Sequence, residues 1–155
     1  YEVSARQGVD LNPLDVASEQ DQERLRSYIW PDQPERQERV AAAIAIAEKT
    51  PPKLDRMDAA DWVEEKLLGI EGQVSVLIHS IAFQYFPGAS QDRIIRHMEK
   101  TGAVAAPSAP LAWLRYEIDP EYDNRATLRL RLWPEGQELV LAVGDPHCRS
   151  IEWLG

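Results

Sequence analysis

The sequence predicts an α/β fold: a mostly parallel sheet closed by an antiparallel hairpin at its C-terminal end. Three observations carry this expectation. Strand-like and helix-like segments alternate from residue 2 to residue 118, the order that right-handed crossovers between parallel strands produce. Residues 73–78 (QVSVLI) are β-branched and apolar on both parities after Ser75. Such runs are typical of strands covered by helices on both faces. Residues 127–133 (TLRLRLW) and 139–143 (LVLAV) flank the turn Pro134-Glu135-Gly136. That pattern predicts a hairpin with one wet face.

The elements follow in order. Residues 2–11 form a first strand, ended by Asn12-Pro13. Ser18 is a good N-cap, and the acidic residues after it suit the first turn of a helix carrying Leu25, Tyr28 and Ile29. Trp30-Pro31 ends that helix, because proline disfavours helical geometry in the residue before it. Pro34 suits the first turn of a second helix, with Val40, Ile44 and Ala47 on one stripe and Thr50-Pro51-Pro52 as its stop. Residues 53–57 give a short strand. Asp58 caps a third helix bearing Trp62, Val63 and Leu67, with Gly69 at its end. After the strand at 73–78, residues 81–86 make a short helix or turn. Ser90 caps a helix carrying Ile94, Ile95 and Met98, and Gly102 ends it. Residues 103–110 are a loop, 111–118 a strand, and 149–154 a last edge strand. There is no internal repeat or low-complexity segment.

Composition narrows the function classes. The chain has 155 residues, 44% of them hydrophobic, enough to build a core. Seventeen Lys and Arg stand against 26 Asp and Glu, a formal charge of −9. Neither a nucleic acid nor an anionic membrane surface is the expected partner. One cysteine, Cys148, excludes an internal disulfide framework and fits a reducing cytoplasm. No run approaches the roughly 20 apolar residues of a membrane helix. The chain begins in a strand-like segment, so we expect a single-domain fragment over 1–155, the C-terminal part of a longer α/β protein.

Five phrases carry a family resemblance: GVDLNPLD (8–15), WPDQPER (30–36), IHSIAFQYFP (78–87), LRLRLWPEG (128–136) and DPHCRSIEWL (145–154). In this order they resemble the bacterial domain of unknown function 2332. The resemblance implies a protein about twice this long, whose first half supplies a glycine-containing strand and loop. It departs at Cys148, where the family carries glycine. No activity comes with it. The element order with its terminal hairpin is similar to the Rossmann-like fold of class I methyltransferases, and that likeness is an analogy of fold, which does not fix function.

In open α/β sheets, ligands bind at the carboxyl ends of the strands. Those ends are residues 10–12, Asp58, His79-Ser80 and residues 117–119. On the methyltransferase-like reading, Asp58 accepts a hydrogen bond from the adenine amine of S-adenosylmethionine and Asp10 takes the ribose hydroxyls. Asp58 as a plain helix cap is the competing reading. His79 and Ser80 are the candidate catalytic pair, since histidine titrates near neutral pH and serves as a general base. A histidine bonded to backbone at a strand end is the alternative. Gln84 lies near them, and Tyr85 is expected in the core. The WPDQPER segment forms a site wall or a connector in which Asp32 caps the second helix. His147 and Cys148 are adjacent and diverge on a strand, no second cluster has zinc spacing, and no metal site is expected. No GxSxG elbow, phosphate loop or HExxH helix is present.

Three functions compete. A methyltransferase-like enzyme uses S-adenosylmethionine and a small-molecule acceptor. A non-catalytic binding module keeps the fold without the cofactor. A hydrolase would depend on His79 or His147. A central strand supplied from upstream would leave a gap between the first strand and the strand at Val74. The fragment is then expected to pair with its N-terminal part or with a second copy.

Overall fold

Ser18 sets the first helix, as its spacing demands. In the computed structural model, which describes residues 2–154, its hydroxyl accepts from the Asp21 N–H at 3.3 Å and opens α1, Glu19–Ser27. Pro34 occupies the first turn of α2, Pro34–Lys49. Gln33 holds its N-cap position without a side-chain bond, so the second helix starts on proline geometry rather than on Asp32. These helices lie between β1, Gln7–Asp10, and β2, Lys53–Arg56, which pair in parallel from Gln7 opposite Lys53 to Asp10 opposite Arg56. The Gln22 amide donates to the Val16 carbonyl at 2.7 Å and to Glu48 at 2.9 Å, which ties α1 to α2. All four elements belong to one of two units into which the chain divides, Tyr1–Ala59 and Ala60–Gly155.

The second unit holds a five-stranded sheet in sequence order. Its strands are β3, Ser75–Ser80; β4, Leu111–Asp119; β5, Arg125–Trp133; β6, Gln137–Gly144; and β7, Ile151–Trp153. Only β3 and β4 run parallel; the other three pairings are antiparallel. The chain therefore has no mostly parallel, Rossmann-like sheet, and the expected fold class is corrected. The physical cause is the connection after β4. A parallel partner needs a crossover of a dozen or more residues. Here a single 3-10 turn, Pro120–Tyr122, is followed by Asp123 and Asn124 with φ of 60° and 56°, and the chain reverses at once into β5. Aspartate and asparagine tolerate this left-handed backbone. A second cause is that β1 and β2 form a sheet of their own.

Two helices complete this unit, α3, Ala59–Lys66, and α4, Gly88–Gly102. Ile94 and Met98 of α4 are buried, and a Cβ on Gly102 would lie 2.4 Å from the Trp133 ring. The helix thus packs on the sheet face that carries Leu111, Trp113 and Trp133, all nearly inaccessible. Arg93 of α4 bonds Asp61 and Glu64 of α3, and His97 reaches the Leu67 carbonyl at 2.8 Å. Among the described residues, no helix is long and apolar enough to cross a membrane.

The two sheet faces differ in an unexpected sense. Two of the three charged residues of β5, Arg129 and Arg131, lie half-buried on the face that α4 shares, and the third, Arg125, shares their parity but is exposed. Arg131 pairs with Glu99 of α4 and stacks at 4.7 Å over Trp133. Arg129 bonds Asp119 at 2.6 Å and Glu138 at 3.1 Å. The opposite face carries the apolar alternates.

Candidate functional site

His79 ends β3, and parallel pairing places it opposite Arg115, two residues before Glu117. Glu117 and His79 therefore meet across adjacent strand ends. His79 Nδ1 lies 2.6 Å from Glu117 Oε1, and both side chains are largely buried. The Trp113 indole N–H donates to His79 Nε2 at 2.9 Å. An indole nitrogen can only donate, so Nε2 accepts, and Nδ1 carries the proton given to Glu117. The ring stacks on Phe83 with centroids 5.1 Å apart.

Glu117 does a second job. Ile81 stands at φ 47°, a costly conformation for a β-branched residue. That turn aims the Ala82 and Phe83 N–H groups back at Glu117 Oε1, each at 3.1 Å. Burial pushes the Glu117 carboxyl up, but the bonds from His79, Ala82 and Phe83 outweigh it and hold the carboxyl below its usual range. Its Oε2 is buried without a hydrogen-bond partner. The Gln91 amide donates to the Phe83 and Phe86 carbonyls at 3.1 and 2.9 Å, fastening the same turn to α4.

An ionic line, half-buried at Arg115 and Arg129 and exposed at Glu138, continues across β4 to β6. Arg115 lies 4.5 Å over Trp113 and pairs with Glu138, and its Nε is buried without a partner. Burial lowers the Arg115 pKa. Asp119 accepts from Arg129, from the Thr127 hydroxyl at 2.9 Å and from the Glu121 N–H at 3.0 Å. Burial raises the Asp119 carboxyl, and these bonds bring it below its usual range.

The predicted site residues fall into separate groups. Asp10 and Asp58 come to the carboxyl ends of neighbouring parallel strands, β1 and β2. Asp10 Oδ1 accepts from the Asn12 N–H at 2.7 Å, and Asp58 is half-buried directly before α3. His79 and Ser80 are brought to the end of β3, but as successive strand residues they face opposite sides of the sheet. Ser80 is exposed, as are Gln84 and Tyr85, the last at 75% rather than in the core. Trp30 and Asp32 are exposed too. Residues 145–149 close into a turn: Asp145 accepts from the His147 N–H and from Nε and Nη2 of Arg149. Cys148 stands exposed there at φ 55°. Among the described residues, no three His, Cys, Asp or Glu side chains gather as metal ligands.

Sequence reasoning had placed Glu117 at a strand end but not opposite His79, and it missed Trp113, Phe83 and Arg115. Parity would have found Trp113: in β4 it shares a face with Arg115 and Glu117. In chemical terms, both His79 nitrogens are engaged. A substrate at Nε2 would have to displace the indole N–H.

No curated protein and no solved structure matches the chain. The sequence model of one family, described as an uncharacterized protein conserved in bacteria, matches residues 1–153. The chain belongs to that family, DUF2332.

Proposed function

We propose that this chain is a non-catalytic binding module that takes an apolar element of a protein partner on the open face of its five-stranded sheet. One observation carries the reading. The face away from α4 bears Val76, Ile78, Leu132, Leu139, Ile151 and Trp153, each 41–66% exposed. Leu114, Leu128 and Leu130 lie half-buried among them, and no Asp, Glu, Lys or Arg of these strands shares their parity. A contiguous exposed apolar surface of this kind marks an interaction site. It extends over strands β3 to β7, a breadth that suits a protein rather than a small ligand, which takes a concave site. The test uses a neutral solvatochromic dye, Nile red. Saturable, blue-shifted fluorescence is expected from the natively folded chain, with most of it lost in Leu132→Lys/Leu139→Lys. No signal from a chain shown to be folded would end the reading.

A second reading rests on Asp10 and Asp58. Two carboxylates at the ends of adjacent parallel strands suit a ribose diol and an exocyclic amine, as S-adenosylmethionine presents them. A methyltransferase-like role needs at least that binding. Calorimetric titration of S-adenosylmethionine should then give a saturable isotherm, abolished by Asp58→Ala. A flat titration removes this reading and leaves the first untouched.

A further inference from the structure

We propose that the partner element is a cationic amphipathic helix of about 20 residues, with lysines or arginines near both ends of its apolar stripe. This rests on the reading of the open sheet face above and adds the charge and length of what it takes. Among the described residues of the second unit, every arginine of the strands has a carboxylate partner. Arg115 pairs with Glu138, Arg125 with Glu152 at 3.6 Å, Arg129 with Asp119 and Arg131 with Glu99. Arg149 pairs with Asp145. The charged side chains left without an ion pair divide by place. Asp92, Arg96 and Lys100 belong to α4, behind the sheet. Glu71, Asp123 and Glu135 stand in the loops at the strand ends, all exposed.

Strand register fixes where these three carboxylates lie. Ser75 of β3 pairs with Leu111 of β4, Leu111 with Trp133 of β5, and Leu132 with Gln137 of β6. The starts of β3 and β4 therefore share one end of the sheet with the β5–β6 turn. Glu71, just before β3, and Glu135, in that turn, stand at this end. Asp123 stands at the other end, between β4 and β5. Unpaired negative charge thus lies at both ends of the strands, and the apolar surface lies between.

Charge and length select the occupant. β4 and β5 have nine residues each, about 30 Å at roughly 3.3 Å per residue. A helix laid along them spans that distance with about 20 residues at about 1.5 Å of rise. A helix also satisfies its own backbone, so it needs nothing from a sheet face but apolar contact. Apolar residues at i, i+3, i+4 and i+7 supply that contact as one stripe. Lysine and arginine stems can lie over the leucines while their charged heads reach the carboxylates at the strand ends. An acidic partner would be repelled there, and so would an anionic lipid surface. A second copy of this chain, at −9, carries the wrong sign as well.

The experiment is fluorescence anisotropy with two labelled helical peptides of about 20 residues. Both carry leucine at i, i+3, i+4 and i+7; one has lysine at its polar positions and the other glutamate. The 155-residue chain should hold the Leu/Lys peptide roughly tenfold more tightly, by a margin that shrinks as salt rises from about 0.05 M to about 0.5 M. Glu71→Gln/Asp123→Asn/Glu135→Gln should weaken that binding about tenfold. It touches no residue of the apolar face, so Nile red binding should be retained, and asparagine keeps the left-handed backbone at position 123. A Lys/Ser peptide of equal charge, without the stripe, should not bind. Absent Nile red binding from the folded chain ends the reading of the face itself. Nile red bound, with the two leucine peptides held equally or the Leu/Glu peptide preferred, overturns the cationic helix and leaves the face. So does Leu/Lys binding that the three neutral substitutions leave unchanged or that the Lys/Ser peptide matches. Phosphatidylcholine vesicles that carry the chain in flotation, with no peptide bound, would give the face to lipid and overturn the proposal too.

Discussion

At the scale of single residues, Glu117 carries the most consequence. It accepts from one imidazole and two backbone amides through one oxygen, and those amides belong to a turn strained at Ile81. The carboxyl sits below its ordinary value of 4.5 in the folded state. A depressed carboxylate contributes stability that is fully present above the unfolded value and is lost as pH falls through the folded one. Glu117→Gln keeps an acceptor for the amides but removes the charge. The variant should be less stable at pH 7 by about 1.5–3 kcal/mol, the range for hydrogen bonds to a charged group. The gap from wild type should narrow steadily below pH 4.5. Urea midpoints at pH 7, 5 and 3.5 check this, and a gap that is constant with pH would show that the carboxylate charge plays no part in holding the turn.

At the scale of elements, local signals were legible where local physics decides. Ser18 and Pro34 start α1 and α2, because caps and backbone restrictions act within one turn, whereas Ser90, expected to cap α4, lies inside a helix that Pro87 precedes and Ala103 caps. The run at β3 misled for a physical reason. Apolar residues on both parities fit a doubly covered strand, yet Val76 and Ile78 stand 47% and 64% exposed on the face away from α4. The Leu-Arg alternation of β5 misled in the opposite direction. Arginine beside Trp113 and Trp133, with Glu99 and Glu138 in reach, is stable under α4, and the leucines are left open. No window of sequence contains those partners. The β4–β5 reversal was legible in Asp123-Asn124, a pair that tolerates left-handed backbone. Reading that turn would have replaced a parallel crossover by a hairpin. The site divides likewise: strand-end logic reached His79 and Glu117 separately, and only the parallel register brought them together.

At the scale of the whole chain, burial is distributed very unevenly between the two units. Among the described residues of Tyr1–Ala59, the buried apolar ones are Ile29 and Ile44. The second unit buries, among others, Met98, Leu111, Trp113 and Trp133. A fully buried aliphatic side chain contributes about 1.5–3 kcal/mol, while ordering each residue costs about 1–2 kcal/mol in backbone entropy. Two such side chains and a pair of four-residue strands leave the first unit with little margin. Its amides should open by local unfolding well below the global free energy. In hydrogen exchange followed by mass spectrometry, α1 and α2 should exchange at least a hundredfold faster than β4 and β5. Equal protection across the chain would mean one cooperative block and would contradict this. The same measurement bears on Asp10 and Asp58, which end strands in the weakly held unit. A ligand bound there would stabilise that unit by mass action. Slowed exchange in β1, β2, α1 and α2 on adding S-adenosylmethionine, with β4 and β5 unchanged, would therefore locate its site. No change at saturating ligand would leave the apolar sheet face as the chain's working surface.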